Sequence, residues 1–217
     1  MKKLFFAIAA SCALSYSISY ADEGAPKKNA PEKASVSAQA VVYDTVRTFF
    51  DDGSVARMYT VLHGTEVRDG LALTYHPNGK VAIEAPYIAG KLDGVFKTYF
   101  ESGKLWKTVG YKNGVEEGFT IVLHENGKRA SREKYSAGVL DGLSEEWDEK
   151  GVTRRKIPYK SGRIHGRAQV YDDLGALKEE MDFVDGVRTG IYRRYEKGVM
   201  VLEAEFENNR CIKNCKF

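Results

Sequence analysis

Glycine recurs at a fixed interval of 24 residues through most of this 217-residue chain. Three glycine series keep this interval, and the first of them runs without an insertion or a deletion. The series are Gly70, Gly94, Gly118, Gly142, Gly166 and Gly190; Gly79, Gly103, Gly127, Gly151 and Gly175; and Gly90, Gly114, Gly138, Gly162 and Gly186. Self-similarity at a fixed period of this length indicates a repeat architecture, in which each repeat is one small supersecondary unit.

Large side chains keep the same interval in two further columns. These columns are Tyr75, Tyr99, Leu123, Trp147, Tyr171 and Tyr195; and Tyr87, Tyr111, Tyr135, Tyr159 and Phe183. The first unit, which contains Phe49 and Gly53, joins the series through a two-residue insertion before Gly70, and the last unit has lost one residue. The sequence therefore predicts about seven units.

Each unit is predicted to be a β-hairpin. Apolar residues within a unit alternate with period two, as Val95, Tyr99 and Leu105 do, and this period is typical of strands. A segment of the form x-x-Gly, such as Glu101-Ser102-Gly103, separates the two apolar runs. A three-residue hairpin loop is commonly a type I turn followed by a residue at positive φ, where glycine costs least.

The length of this loop predicts which residues face each other. If Phe100 faces Lys104, then Tyr99 faces Leu105 and Val95 faces Val109, so that odd-numbered residues share one face of the sheet. The same offset in the fifth unit places Glu145 opposite Arg155 and Glu146 opposite Arg154. Opposite charges across a strand pair stabilise it modestly, so the predicted pairing is physically reasonable.

The predicted fold class is all-β, with the tandem hairpins joined into one elongated antiparallel sheet. A single hairpin of this size is not stable alone, so neighbouring units must pair with each other. About fourteen strands twist relative to one another, and we expect a twisted and curled sheet with open edges at both ends.

The unit Gly-x-x-x-x-Tyr-x-x-x-Gly-Lys…Tyr-x-x-Gly-x-x-x-Gly, seen at residues 94–118 and, with Leu123 in place of the first Tyr, at residues 118–142, resembles MORN-type repeats, and more closely the bacterial variant in proteins labelled antitoxin-like. The resemblance covers roughly residues 45–209. It implies association with proteins or contact with membranes and phospholipid, and the antitoxin-like label implies neutralisation of a toxin by binding it.

The N-terminus predicts export. Residues 1–21 read as a signal peptide, with Lys2 and Lys3 before an apolar run and a small-x-small cleavage site ending at Ala21. The apolar run is too short to span a bilayer. Lipidation at Cys12 is disfavoured because Ala9 stands where the large aliphatic residue of a lipoprotein signal is needed. We therefore expect a periplasmic or secreted protein.

The mature chain is predicted to consist of a disordered Ala/Lys/Pro-rich tether at residues 22–40 and the repeat domain at residues 41–217. Cleavage removes two of the 33 basic residues and none of the 30 acidic residues, which leaves a net charge of +1. This balance argues against general affinity for nucleic acid, which needs a basic surface. Cys211 and Cys215, in a C-terminal hook, are expected to form a disulfide in an oxidising compartment.

Sequence motifs for catalysis are missing. The chain has no Gly-x-Ser-x-Gly elbow, no phosphate-binding loop, no Gly-x-Gly-x-x-Gly and no His-Glu-x-x-His. The glycines belong to turns, and adjacent acids such as Glu145 and Glu146 point to opposite faces of a strand. We therefore expect no catalytic site, no cofactor and no metal, and the protein is predicted not to be an enzyme.

Two groups of residues are candidate binding sites. Phe96, Phe100 and Trp106 are predicted to form an exposed aromatic cluster on the otherwise polar even face, with Trp106 opposite Thr98, and such a cluster is typical of an interaction site. The alternative is that the cluster packs under the tether, under a loop or against another copy of the chain. The second group is a candidate site for anions or lipid headgroups, unless its members pair with nearby acids: Arg154, Arg155, Lys156, Lys160 and Arg163.

The predicted function is an exported, non-catalytic scaffold that binds another, unidentified protein in the cell envelope or outside the cell. One alternative is a structural protein that contacts the membrane or cell-wall material through the basic group. A second alternative is an antitoxin-like protein that neutralises a toxin by binding it.

Overall fold

The computed structural model describes residues 40–215, which form one antiparallel sheet without a helix. The predicted signal peptide, Cys12 and all of the predicted tether except its last residue lie outside the described residues. The strands are β1 (Tyr43–Phe49), β2 (Val55–Leu62), β3 (Gly70–Tyr75), β4 (Val81–Ile88), β5 (Lys91–Leu92), β6 (Gly94–Tyr99), β7 (Leu105–Lys112), β8 (Val115–Leu123), β9 (Arg129–Ser136), β10 (Val139–Leu140), β11 (Gly142–Trp147), β12 (Thr153–Lys160), β13 (Arg163–Ile164), β14 (Gly166–Tyr171), β15 (Leu177–Val184), β16 (Val187–Glu196), β17 (Val199–Glu207) and β18 (Arg210–Lys213).

The strands pair in the order in which they occur in the chain. Each long strand pairs with the next long strand, and the two-residue strands β5, β10 and β13 extend the turns between units. β1 lies at one edge of the sheet and β18 at the other, so the sheet is open. This architecture confirms the predicted fold class. No helix in residues 40–215 is long and apolar enough to cross a membrane.

The turn inside each hairpin has the predicted geometry. In the unit that contains Gly103, the backbone N–H of Phe100 donates to the carbonyl of Lys104 at 2.9 Å, and the N–H of Gly103 donates to the carbonyl of Phe100 at 2.8 Å. Gly103 has a φ of 86°, a conformation that residues with a Cβ rarely adopt. The glycine series that contains Gly79 and Gly103 therefore marks the hairpin turns.

The register beyond the turn differs from the prediction because each hairpin contains a β-bulge. Tyr99 pairs with Leu105 as expected, but Thr98 pairs with Lys107, so Trp106 is an extra residue on its strand. The bulge shifts all later pairs by one residue, and Val95 therefore lies opposite Gly110 and not opposite Val109.

The same correction applies to the fifth unit, where the predicted charge pairs are wrong. Glu145 lies opposite Lys156 and Glu146 lies opposite Arg155. The extra residue of the bulge recurs at the same position in successive hairpins: Ala82, Trp106, Ala130, Arg154 and Lys178.

Because of the bulge, residues of even number on one strand share a face with residues of odd number on the next. The first face carries the buried residues of 40–215 other than Glu180: Val61, Ala85, Val109, Thr120, Ser144, Met181, Ala204 and Phe206. The second face carries Glu84, Lys97, Glu180 and Arg193. The predicted single face of odd-numbered residues is therefore wrong, since Tyr111 lies on the first face and Tyr99 on the second.

On the first face, an aromatic ring lies across the ladder from a glycine in every full unit. Gly94 pairs with Tyr111 and Gly118 pairs with Tyr135, and the other units repeat this pairing. Glycine has no side chain to pack, and a large ring on the opposite strand covers the exposed backbone. The residues of the glycine column and of the aromatic column are thus partners in the same cross-strand contact.

The turns between units were not foreseen from the sequence. Their two central residues both have positive φ, as in Asn113-Gly114 (50° and 84°) and Ala137-Gly138 (49° and 78°). This combination is that of a type I′ turn, whose twist matches that of the flanking strands. The glycine at its second position explains the series that contains Gly114 and Gly138.

Side chains and backbone groups connect neighbouring units along both long sides of the sheet. On one side, the Asp93 carboxylate accepts the N–H of Asn113 at 3.0 Å, and Asp69 does the same for Ala89 at 2.9 Å. On the other side, Asn78 donates to the carbonyl of Glu101 at 2.8 Å. These contacts join a residue of one unit to the turn of the next, so each unit stabilises its neighbour.

Candidate functional site

Phe96 lies apart from the other two residues of the predicted aromatic cluster. It lies on the first face opposite Val109, and its ring packs edge-on against Tyr111 with a centroid distance of 6.1 Å. The predicted position of Trp106 opposite Thr98 is wrong, because the bulge brings Lys107 to that place. Phe96 is therefore part of the packing of the first face.

Phe100 and Trp106 form an aromatic pair at the end of the hairpin. Their ring centroids are 5.9 Å apart with an angle of 39° between the planes, and Trp106 is 46 % exposed. Trp106 reaches this position as the extra residue of the bulge, and Phe100 is the first residue after β6. We call these two residues the aromatic pair.

In another unit, polar groups occupy both positions of the aromatic pair. Two units further along the chain, Asp148 and Arg154 occupy them and form a salt bridge of 2.9 Å. The Asp148 carboxylate also accepts the N–H groups of Lys150 and Val152 and so stabilises its own turn. In the units on both sides of the aromatic pair, the Phe100 position holds His76 and His124, whose Nε2 atoms bond to carbonyl oxygens of the next unit.

The hairpin therefore forms without aromatic residues at these positions. Phe100 has no polar side chain with which to stabilise its turn, whereas Asp148 does. An aromatic residue that the fold does not require, next to a half-exposed tryptophan, is a candidate for binding.

The basic group is divided among different parts of the sheet. Arg155 lies on the first face, within 3.5 Å of Glu146, whereas Lys156 and Lys160 lie on the second face. Arg154 bridges Asp148 and Asp173, the latter at 2.6 Å, and Arg163 follows the turn to the next unit. The five cations thus do not form one basic surface, and two of them are paired with acids.

The most buried charged group is Glu180, which is 6 % exposed on the second face. It accepts hydrogen bonds from Arg193 at 3.0 Å and from Tyr195 at 3.2 Å. Burial alone would raise the pKa of Glu180, but the hydrogen bond from Arg193 and the charge of Arg167 outweigh it and hold the pKa below its ordinary value.

Charged pairs of this kind connect several units across the second face. Glu84 pairs with Lys97 at 2.9 Å, Glu145 with Arg132 at 3.4 Å, and Glu180 with Arg193 at 3.0 Å. In each case the two residues are ladder partners on adjacent strands that belong to different hairpins. These pairs position one unit against the next, and the charged side chains in them therefore have a structural role.

A row of exposed apolar residues on the second face was missed by the sequence reasoning. Four residues at the 24-residue spacing form it: Leu71 (50 % exposed), Val95 (51 %), Phe119 (42 %) and Leu143 (43 %). We call this row the apolar stripe. The sequence could not reveal it, because the register without a bulge places Leu71 and Val95 on the same face as the packed residues Val109 and Tyr111.

The first face has an apolar depression of about 490 Å³ near its C-terminal end, lined among others by Ala168, Val170, Met181 and Phe183. Ala168 occupies the position that Phe96 fills three units earlier. At the end of the sheet, Cys211 and Cys215 form a disulfide with the Cα atoms 5.8 Å apart. No group of three or more His, Cys, Asp or Glu residues within 40–215 is arranged to hold a metal ion.

Comparison with known proteins agrees with the repeat. The family described as MORN repeat variant matches the chain at residues 68–89, 92–113 and 140–161. Each matched segment contains one complete hairpin, namely β3–β4, β6–β7 and β11–β12. No curated protein matches the chain.

Proposed function

This chain is a MORN-repeat protein, and on this premise we propose that it is an exported, non-catalytic scaffold that binds another protein through the aromatic pair. The single observation that carries the proposal is the exposed Trp106 on Phe100, at positions where another unit holds the ion pair Asp148–Arg154. Tryptophan is over-represented among residues that dominate binding energy at protein interfaces.

The ionisation state of the buried acid Glu180 supports the non-catalytic part of this proposal. A general acid or base works best with a pKa near the working pH. Glu180 has a lowered pKa and is held by Arg193 and Tyr195, so it is an ionised structural group at neutral pH. The remaining acids described above pair with cations or cap turns.

Export is supported by the signal-like residues 1–21 and by the disulfide between Cys211 and Cys215. The intact mass of the protein recovered from the envelope and from the medium tests this part. We expect a chain that starts at Asp22 with the disulfide formed. A full-length chain recovered from the cytoplasm with two free thiols would contradict it.

The binding proposal is tested with a variant that borrows its residues from another unit. Phe100→Asp combined with Trp106→Arg recreates the Asp148–Arg154 pair, which the equivalent hairpin two units later already accommodates. Crosslinking in the envelope followed by purification of the mature protein should recover a partner with the wild type and lose it with this variant.

The control variant for this experiment is Leu174→Arg, because Leu174 is 91 % exposed on a turn far along the chain from the aromatic pair. It should keep the partner. If the borrowed pair leaves the set of crosslinked proteins unchanged, the aromatic pair is not the binding site. If the partner is a toxin encoded beside this protein, the antitoxin-like alternative is favoured over a general scaffold.

Contact with anionic envelope material has weaker support. Arg154 and Arg155 are in salt bridges with Asp148, Asp173 and Glu146. The remaining cations of the basic group, Lys156, Lys160 and Arg163, have no salt bridge within residues 40–215. Salt-sensitive cosedimentation with anionic vesicles that is lost on replacing these three residues would favour this alternative.

A further inference from the structure

The apolar stripe crosses the second face along a nearly straight path. Its four members stand on β3, β6, β8 and β11, with one long strand between each member and the next. Adjacent strands are about 4.8 Å apart, so the stripe is roughly 29 Å long. Exposed apolar residues aligned over this length are typical of an interaction surface.

The hairpins do not need apolar residues at these positions. Two units after Phe119 and Lys134, the equivalent residues are Arg167 and Asp182, which are ladder partners. They form a two-pronged salt bridge with N–O distances of 2.7 and 3.0 Å. The same place in the fold is thus stable with a charged pair, and the stripe has a role other than folding of the unit.

We propose that the apolar stripe binds a second copy of this chain, face to face, about a two-fold axis that runs along β7. The stripe has two members on either side of β7, so the axis exchanges its two halves. Val95 then meets Phe119 of the second copy, and Leu71 meets Leu143 of the second copy. Each of the four residues of one copy has an apolar partner in the other.

The centre of the proposed contact has a glycine. Gly110 lies on β7 between Val95 and Phe119, opposite Val95 in the ladder. It lies on the axis and meets Gly110 of the second copy, which lets the two sheets approach closely where no side chain separates them. Self-complementary surfaces are the general feature of two-fold dimers.

The charges beside the stripe are also self-complementary. Counted in long strands, Glu84 stands two before β7 and Arg132 stands two after it. The two-fold axis therefore brings Glu84 towards Arg132 of the second copy, twice in each dimer. Their partners within the chain, Lys97 and Glu145, extend each contact into a group of four alternating charges. Like charges in these positions would have opposed association.

Arg132 also supports the stripe directly. Its guanidinium lies over the Phe119 ring at 4.2 Å from the centroid, which covers one side of the ring and leaves Phe119 partly exposed. The stripe stops where the charged pair Arg167–Asp182 begins. An apolar centre with charges beside it is the arrangement expected at a protein interface.

The first experiment measures the molar mass of the mature protein by light scattering and sedimentation over a wide concentration range. The wild type should form a dimer. The variant Phe119→Arg with Lys134→Asp, which borrows the Arg167–Asp182 pair, should raise the dimer dissociation constant at least about tenfold. Leu174→Arg, which adds a charge outside the stripe, should leave the constant unchanged, and thermal unfolding should show that both variants fold.

The second experiment tests the position of the axis. Thr108 stands on the second face of β7, and Lys107 is its neighbour on the first face. In the mature chain Cys211 and Cys215 are in a disulfide, so Thr108→Cys introduces the one free thiol. A short bis-maleimide crosslinker should join two copies of the Thr108→Cys variant and should not join two copies of the Lys107→Cys variant.

A monomer at every concentration would overturn the proposal, and so would a dimer that the borrowed charged pair leaves intact. Crosslinking through Lys107→Cys with none through Thr108→Cys would place the interface on the first face and would also overturn it. The Phe100→Asp/Trp106→Arg variant should remain a dimer. Self-association and binding of another protein through the aromatic pair can therefore fail independently.

Discussion

Arg193 donates a hydrogen bond of 3.0 Å to Glu180, a carboxylate that is 6 % exposed although the described chain is a single sheet. The same guanidinium donates to Glu203 at 2.9 Å, so Arg193 connects strands β15 and β17 across β16. Arg167 lies within 3.8 Å of Glu180 on the other side. A buried acid thus joins the last two hairpins, where fewer neighbouring units are present to stabilise them.

We expect Arg193→Met to destabilise the protein more than Glu180→Gln does. Without Arg193, Glu180 remains buried with only the more distant Arg167 as a cationic partner, and removing one partner of a buried charge is strongly destabilising. Glu180→Gln removes the charge from the buried position, and Arg193 keeps its bond to Glu203, so we expect a loss of about 1 kcal/mol. Urea denaturation of both variants measures the difference, and equal losses would contradict the assignment.

Stability is expected to fall as the pH drops below about 4.5. The pKa values of Glu180 and Asp182 are lowered from their ordinary values of 4.5 and 3.8. For Asp182 the hydrogen bonds from Arg167 are the main cause. Because the unfolded chain binds these protons more readily, the stabilisation is complete above the unfolded pKa values and is lost as the pH falls through the folded ones.

The free energy of unfolding, measured at a series of pH values, checks this expectation. The Glu180→Gln variant should lose less stability than the wild type between about pH 5 and pH 3, because it no longer contributes this titration. Glu125→Gln, on an exposed hairpin turn, serves as the control and should follow the wild type. Identical curves for the wild type and Glu180→Gln would show that the buried carboxylate is not the group that responds.

Gly94 and Gly118 offer a comparison between two equivalent glycines. Both have positive φ, 117° and 86° respectively, so alanine is strained at either position. A Cβ at Gly94 would lie 3.1 Å from Cγ of Pro86, whereas a Cβ at Gly118 has nothing within 4 Å, because Gly110 stands where Pro86 is. We expect Gly118→Ala to cost about 1 kcal/mol for the backbone, and Gly94→Ala to cost more because the contact is added. Thermal unfolding distinguishes the two, and a larger loss at Gly118 would contradict this explanation.

The hairpin repeat and the single sheet could be predicted because they depend on residue types with strong local preferences. Gly103 at a positive φ and the alternation of Val95, Tyr99 and Leu105 are visible in the sequence, and the interval of 24 residues repeats them. The fold class could therefore be inferred from the hairpin turn and from the 24-residue interval. The pairing of Gly94 with Tyr111 was also within reach, since glycine and aromatic columns at constant separation suggest a contact between them.

The bulge could not be predicted because its extra residue has no characteristic type. Ala82, Trp106, Arg154 and Lys178 all occupy it, which shows that the backbone, and not the side chain, requires it. If the extra residue of the bulge is not recognised, the residues of one strand in each hairpin are assigned to the wrong face of the sheet. For this reason the sequence grouped Phe96 with Trp106 and left the apolar stripe unnoticed, although the residue types of the stripe were plain.

The disulfide between Cys211 and Cys215 is expected to protect the C-terminal edge more than it stabilises the whole sheet. It encloses only three residues, and on the chain-entropy model so short a loop contributes about 2 kcal/mol. Its place at the end of β18, which pairs only with Glu205, Phe206 and Glu207 of β17, holds a very short edge strand in position. Short edge strands limit unwanted pairing with other sheets, and loss of β18 would expose the buried Phe206. Reduction should therefore speed amide hydrogen exchange in β17 and β18 and leave β3 to β9 unchanged. Global unfolding on reduction, or unchanged exchange in β17, would show that the disulfide has a different role.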